Sequence, residues 1–289
     1  MDLPVMPPVA PMLAKAVTSV PPQPDGSVAW SYEPKWDGFR ALVFRDGDEV
    51  TIGSRGGKDL ARYFPEIVAA VKDELPDKVV LDGEIGVPAL IGDTHRLDWD
   101  SLAQRIHPAE SRVTMLAEKT PAIFIGFDAL ALESTSVMAE PFEVRREALL
   151  RAVGPGGRDR RVHVSRVTSD PAVAEDWFSA FEGAGLDGVV AKRLDGVYIE
   201  NKREMLKIKH KRTADCVIFG YRIHKSGTGI GSMLLGLYGD DGELRMVGGA
   251  GAFSDAKRIE LQQMFEPMRL DPEKASPGEP TRWRSEKSG

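Results

Sequence analysis

Charged residues occupy alternate positions inside two apolar, strand-like segments of this sequence. Asp82 and Glu84 lie in one segment, and Lys207 and Lys209 lie in another. Because side chains alternate across a strand, the two members of each pair face the same side of a sheet. Acids in an apolar strand need a metal ion, a hydroxyl or a cation as partner, and paired lysines need an anion such as phosphate. The pattern therefore predicts strands that converge on a phosphate and metal site.

The remaining sequence contains both strand-like and helix-like patterns, which predicts an α+β fold. The segments with strand patterns are 30–38, 39–45, 49–54, 79–87, 122–132, 188–193, 205–211, 215–223, 232–238 and 244–249. The segments with helical spacing are 60–75, 98–106, 142–153, 171–184 and 255–265. Residues 1–29 and 271–289 are rich in proline and are predicted to lack regular structure.

The pattern changes after Arg212, where short strands with Gly-rich turns replace the longer elements. We therefore predict two domains, 1–212 and 213–289. Three strands and one helix are too few for a small closed barrel, so we expect the second domain to be truncated.

Composition narrows the class of protein. Hydrophobic residues make up 42% of the chain, which is enough for a core, and there is no apolar run of about 18 residues that could span a membrane. Cys216 is the only cysteine, so no internal disulfide can form. We expect a buried, inert thiol and a cytoplasmic protein. The net charge of -6 means that any site for a polyanion is a local patch.

The segment from Glu33 to Arg40, Glu-Pro-Lys-Trp-Asp-Gly-Phe-Arg, places Lys35 where a strand ends, between two carboxylates. Taken alone, it fits an exposed lysine at a turn. Asp187-Gly188 opens a further apolar strand and supplies another acid. Together with the two charged pairs, these residues indicate a phosphate and metal site around one lysine.

Six ordered motifs resemble the covalent nucleotidyltransferase superfamily of polynucleotide ligases and mRNA capping enzymes. They are Lys35-Trp-Asp-Gly38, Ser54-Arg55, Asp82-Gly-Glu84, Phe127-Asp-Ala-Leu130, Asp187-Gly-Val-Val190 and Lys207-Ile-Lys209. The sequences of residues 33–40 and of Pro11-Met-Leu-Ala14 are most similar to those of bacterial ATP-dependent DNA ligases of repair and end joining. The resemblance implies a nucleotidyltransferase domain of ATP-grasp-like antiparallel sheets with helices, followed by an oligonucleotide-binding (OB-fold) barrel. The family's final basic motif is absent.

The resemblance also implies roles for individual residues. Lys35 is the nucleophile that carries AMP, Lys207 and Lys209 meet the α-phosphate, and Phe127 stacks on adenine. The residues implied for ATP binding are Glu33, Arg40, Arg55, Glu84, Phe127, Arg203, Lys207 and Lys209. Those implied for Mg or Mn are Glu84, Asp187 and Asp37. Asp187 stands where most relatives have Glu, which keeps the charge but shortens the reach of the carboxylate by one methylene.

The implied reaction is ATP-dependent sealing of nicked or broken double-stranded DNA, by a cytoplasmic, nucleoid-associated monomer that works with other repair proteins. Two alternatives stay open. One is an RNA ligase or a GTP-dependent capping-type enzyme built on the same motifs. The other is a catalytically idle DNA-end-binding module, which the intact set of Lys35, Glu84, Lys207 and Lys209 disfavours.

Overall fold

The computed structural model describes residues 1–91, 94–157, 159–180, 186–209 and 213–269. The chain divides into two compact units, Met1–Lys211 and Arg212–Gly289. The predicted domain boundary at 212, the ends of the predicted helix 171–184 and strand 205–211, and the predicted loop at 271–289 lie outside the described residues.

The first unit contains a four-stranded sheet that carries the nucleophile candidate. Its strands, in spatial order, are β1 (Ala14–Val17), β12 (Met205–Lys209), β11 (Leu186–Arg193) and β2 (Trp30–Trp36). Strand β1 runs parallel to β12, and the other pairings are antiparallel. The prediction that residues 1–29 lack regular structure is therefore wrong at Ala14–Val17. This stretch lies between Pro11 and Pro21, so its backbone N–H groups are free to pair.

A six-stranded sheet forms the other half of the first unit. Its spatial order is β10 (Val162–Val164), β8 (Ile123–Leu132), β5 (Lys78–Gly86), β3 (Phe39–Asp46) and β4 (Glu49–Ser54), and β9 (Thr135–Ser136) also pairs with β8. The predicted hairpin is confirmed, with Gly47 at a φ of 58° in its turn. Strand β1 is parallel to β12, and β10 is parallel to β8, so each of the two sheets is mixed. The prediction of antiparallel sheets is wrong in this respect. A small hairpin, β6 (Pro88–Ile91) and β7 (Thr94–Leu97), follows β5.

Helices cover the six-stranded sheet. They are α1 (Pro65–Glu74), α2 (Trp99–Ala103) and α4 (Phe142–Val153), and the first unit also contains α3 (Glu110–Lys119) and α5 (Pro171–Ala180). The predicted helix 60–75 is a short 3-10 turn followed by α1, which starts at Pro65, a favourable first position. Helix α3 was not predicted, because only Val113 and Leu116 are buried along it.

Two apolar layers place the polar site. One face of the six-stranded sheet packs with the helices around Val79, Leu81 and Phe124. The opposite face packs Leu42 and Val80 against Met205 of the four-stranded sheet and against the N-terminal arm, which is defined here as residues 1–17. Because Val80, Asp82 and Glu84 alternate on β5, the acids continue the second face beyond the apolar contact. The polar site thus lies where the two sheets face each other.

The second unit is a three-stranded antiparallel meander followed by a helix. Its elements are β13 (Val217–Ile223), β14 (Ile230–Tyr238), β15 (Leu244–Ala250) and α6 (Asp255–Phe265), as the sequence predicts. The Ser254 hydroxyl accepts a hydrogen bond from the Lys257 N–H at 3.4 Å and caps α6. Cys216 is half-buried, so the prediction of a buried thiol is wrong. In the described part of both units, no helix has the length and apolar character needed to cross a membrane.

Candidate active site

A cavity of about 420 Å³ lies between the two sheets of the first unit. Its size falls within the usual range for small-molecule sites. The N-terminal arm forms one wall through residues 11–16. Lys35 and most of the predicted ATP-binding residues line it, namely Glu33, Arg40, Arg55, Glu84, Phe127, Arg203 and Lys207. The structure therefore brings together residues that are far apart in sequence.

Lys35 is the penultimate residue of β2, so it lies at the end of a strand as predicted. Gly38 follows in the turn, where an added Cβ would lie 2.2 Å from the carbonyl oxygen of Ile85. Only glycine permits this approach of the turn to β5. The Gly38 N–H also donates to Oε1 of Glu84 at 3.1 Å. The close turn thus brings Lys35 and Glu84 to the same cavity.

Asp187 is the counter-ion of two lysines. Its Oδ2 lies 3.0 Å from Nζ of Lys35 and 2.6 Å from Nζ of Lys209. The register explains this, because Gly188 pairs with Lys35 on one side and with Lys209 on the other. Burial alone would raise the pKa of Asp187, but the hydrogen bonds from Lys209 and Lys35 outweigh it and lower that pKa.

Positive charge accumulates around Lys207. Burial is the largest cause that lowers the pKa of Lys207, and the nearby charges of Lys209, Lys35, Arg55 and Arg203 lower it further. No ion-pair partner of Lys207 occurs among the residues that the structure describes. A site with this excess of cations is suited to a polyanion such as a triphosphate.

The carboxyl group of Glu84 is partly shielded from solvent. Burial raises its pKa to about 7, against the opposing influence of Arg40 and Lys35. The group therefore changes its charge near neutral pH and is sensitive to any added cation or hydrogen-bond donor.

Arg40 is held by Asp82 rather than free for a ligand. Its Nε and Nη2 donate to the two oxygens of the fully buried Asp82, each at 2.6 Å, and its guanidinium lies 4.5 Å from the centre of the Phe127 ring. The Tyr198 hydroxyl donates to Asp82 at 2.6 Å and accepts from the Met12 N–H at 3.0 Å. Asp82 thus links the arm, Arg40 and Phe127.

Lys192 is a buried lysine that was not predicted as a site residue, and it contacts both Glu33 and Phe127. Lys192 Nζ is 2.8 Å from Oε1 of Glu33 and donates to the Phe127 carbonyl at 2.8 Å. The sequence signal was a lone lysine that ends an apolar strand, which is equally typical of an exposed strand end. The ion pair with Glu33 depends on the pairing of β2 with β11, which the sequence does not specify.

The predicted metal residues are not brought together. Asp37 is exposed and does not line the cavity. Within the described residues, no cluster of three or more acidic, histidine or cysteine side chains could hold a metal ion. Glu84 and Asp187 remain as separate carboxylates near the cavity, an arrangement compatible with Mg²⁺, which binds through one or two carboxylates together with substrate phosphates.

The comparisons with known proteins agree on one family. Residues 11–209 match the family model described as the ATP-dependent DNA ligase domain. The chain is 62% identical over 285 residues to DNA ligase C1 of Mycolicibacterium smegmatis, covering 99% of this chain and 80% of the relative. It is 56% identical over 271 residues to DNA ligase C of Mycobacterium tuberculosis, covering 93% and 73%.

A solved structure supports the same relationship. The mycobacterial DNA ligase D complexed with ATP and MES aligns with a TM-score of 0.55 and 29% identity, covering 95% of this chain and 83% of that one. The nucleotidyltransferase-type ligase fold predicted from the motifs is thereby confirmed, although its sheets are mixed and not antiparallel as predicted. The chain belongs to the family of ATP-dependent DNA ligases.

Proposed function

We propose that this ligase forms its covalent intermediate on Lys35 and seals nicks in double-stranded DNA. The observation that carries the proposal is the position of Lys35. It is a strand-end amine that lines a cavity of nucleotide size, with Lys207 as an unpaired cation nearby among the described residues. An amine and a phosphate-binding cation in one cavity are the two elements that transfer of a nucleotidyl group to nitrogen requires.

In the first step, the neutral amine of Lys35 attacks the α-phosphorus of ATP. The P–N bond forms, the bond between the α-phosphorus and the bridging oxygen breaks, pyrophosphate leaves and the nitrogen loses a proton. Nζ of Lys35 lies 3.0 Å from Oδ2 of Asp187, so this ion pair must separate before the amine attacks. Lys209 can keep Asp187 neutralised when it does, because the two groups are 2.6 Å apart.

In the second step, an oxygen of the 5′-phosphate at the nick attacks the phosphorus of the adduct, the P–N bond breaks, and the amine of Lys35 leaves and regains a proton from water. The 3′-hydroxyl oxygen then attacks that phosphate, a phosphodiester bond forms and AMP leaves. Catalysis here depends on positioning and on neutralising charge at phosphorus. Lys207 and Lys209 meet the α-phosphate, Arg55 and Arg203 meet the outer phosphates or DNA, and Glu84 holds the ribose.

At the base end, Phe127 covers one face of adenine and Glu33 binds its amine. Glu33 lines the cavity, and its Oε2 has no hydrogen-bond partner among the described residues. A carboxylate oxygen accepts hydrogen bonds only, and the exocyclic amine is the donor group of adenine. Arg40 contributes by supporting Phe127 from its place on Asp82.

Mg or Mn bound with ATP would be held by Glu84 and Asp187 together with phosphate oxygens, and it would supply charge neutralisation at the phosphates. Asp37 and Asp187 both lie outside the cavity lining, but Asp187 contacts Lys35 of that lining at 3.0 Å, whereas the side chain of Asp37 is exposed.

The second unit is proposed to be part of an OB-fold barrel that binds DNA. Residues 1–212 are proposed to form the adenylation domain. The three-stranded meander of the second unit supports the OB-fold assignment. The exposed Lys202 and Arg203 of the first unit offer contacts to the DNA backbone. We further propose a monomer that acts in DNA repair at the nucleoid with other repair proteins.

The test is a sealing assay with the full chain, magnesium and either ATP or GTP, on nicked DNA and on nicked RNA. The proposal predicts sealed DNA with ATP and covalent AMP on the protein. Labelling by GTP would indicate the capping-type alternative, preferential sealing of RNA would indicate an RNA ligase, and DNA binding without labelling would indicate the idle module.

A further inference from the structure

Lys192 is one of the few buried charged side chains in the first unit, with 3% of its side chain exposed. It lies on β11, beyond Val190, which pairs with Glu33 of β2. A lysine is rarely buried without a partner, because removing its charge from water is costly. The contacts of Lys192 therefore indicate its role.

The contacts of Lys192 converge on the base end of the cavity. Its ammonium is 2.8 Å from Oε1 of Glu33, donates to the Phe127 carbonyl at 2.8 Å and lies 4.7 Å from the centre of the Phe127 ring. Lys192 thus contacts both residues that are proposed to recognise adenine, one through its side chain and the other through both backbone and ring.

The other nearby acid is already occupied. Asp128 is 3.9 Å from Lys192, but its two oxygens accept from Nε and Nη2 of Arg145 at 2.8 and 3.1 Å. Glu33 is therefore the main partner of Lys192. Because Lys192 holds Oε1, the second oxygen of Glu33 is left without a partner among the described residues.

We propose that Lys192 is a positioning residue that sets the selectivity of the ligase for a purine nucleotide with an exocyclic amine. It fixes one oxygen of Glu33 so that the other is presented to the amine, and it anchors Phe127 at the distance that stacking requires. The inference rests on the proposed function, because it places the base of ATP against Glu33 and Phe127.

The electrostatics of the pair support this role. Burial raises the pKa of Glu33, and Lys192 is the largest influence that opposes the rise. Without Lys192, the carboxyl group would gain a proton more readily, and its orientation would no longer be fixed. A protonated, rotating carboxyl group can face either a donor or an acceptor, so it discriminates poorly between bases.

The experiment compares ATP with purine riboside triphosphate, which is ATP without the 6-amino group. Single-turnover adenylation of the full chain in magnesium is measured over a range of each nucleotide, which gives a half-saturating concentration and a maximal rate. The wild type should require at least about tenfold more of the analogue, because the analogue leaves the buried carboxylate oxygen unpaired.

Lys192→Met should reduce this preference to less than about threefold, mainly by raising the half-saturating concentration of ATP, with a smaller effect on the maximal rate. Lys192→Arg, which keeps the charge, should retain part of the preference. Lys192→Gln replaces Lys192→Met if the latter does not fold. Arg145→Lys is the control, because it loosens Asp128 in the same buried network and should leave the preference unchanged.

An unchanged preference in Lys192→Met or Lys192→Gln would overturn the proposal, as would equal loss of preference in the control. A wild type that uses both nucleotides equally would also overturn it. Failure of the proposed function looks different, because the wild type would then form no covalent adduct with either nucleotide.

Discussion

Replacing Glu84 with Gln should change how the stability of the first unit depends on pH. Burial raises the pKa of Glu84 from an ordinary value of 4.5 to about 7. Because the folded-state pKa is raised, the associated stability is fully present below pH 4.5 and is lost as the pH rises through about 7. The glutamine variant cannot lose it, since it has no proton to release.

The magnitude follows from the size of the rise. A rise from 4.5 to about 7 corresponds to at most about 3.5 kcal/mol, at about 1.4 kcal/mol per pKa unit. Glu84 is only half-buried, so solvent screening lowers the expected value to about 2 kcal/mol. The advantage of Glu84→Gln over wild type should therefore be about 2 kcal/mol larger at pH 8 than at pH 5.

The assay is urea unfolding followed by tryptophan fluorescence at pH 5, 6, 7 and 8, without nucleotide or metal. Glu110→Gln makes the same chemical change at an exposed glutamate on α3 and is the matched control. A stability difference between Glu84→Gln and wild type that stays constant over this pH range would refute the reasoning. It would mean that Glu84 is better solvated, or better paired, than its surroundings indicate.

Three further changes test other parts of the site. Phe127→Ala should weaken ATP binding by about 1–3 kcal/mol in calorimetry, the scale of base–aromatic stacking, and an unchanged affinity would leave the ring a purely structural role. Gly188→Ala should destabilise the protein by more than about 3 kcal/mol, because the φ of Gly188 is 137° and an added Cβ would lie 1.9 Å from the carbonyl oxygen of Ile208. Gly156→Ala is the control, because an added Cβ there meets no atom within 4 Å. Similar thermal stabilities of the two variants would contradict the close approach at Gly188. Tyr198→Phe removes the hydroxyl that bonds both Asp82 and the arm, so it should weaken ATP binding by about 1–2 kcal/mol and speed proteolysis of the arm; an arm as resistant as that of wild type would show that other contacts hold it.

Periodicity and turn residues were sufficient to predict most of the elements. The hairpin around Gly47, helix α4 and helix α6 with its Ser254 cap follow from local patterns. Strand β1 could not be predicted in this way, because its partner β12 is almost two hundred residues away. Pairing between distant strands depends on tertiary packing, which single-sequence patterns do not report.

The candidate site was likewise predictable only in part. Alternation on β5 and β12 predicted which charges share a face, and the cavity contains Glu84 and Lys207 as expected. The pairing of each charge was not predictable. Asp187 binds two lysines, and Glu33 is paired with a lysine on a neighbouring strand, because the strand registers place these groups side by side.

The central claim is that Lys35 carries AMP, and it is tested most directly by locating the adduct. The full chain is incubated with ATP and magnesium, digested, and analysed by mass spectrometry under conditions that preserve a phosphoramidate. We expect AMP on the peptide that contains Lys35, no adduct in Lys35→Ala, and an unchanged adduct in Lys58→Ala, an exposed lysine outside the cavity lining. AMP on another residue, or labelling of Lys35→Ala at the wild-type level, would contradict the account.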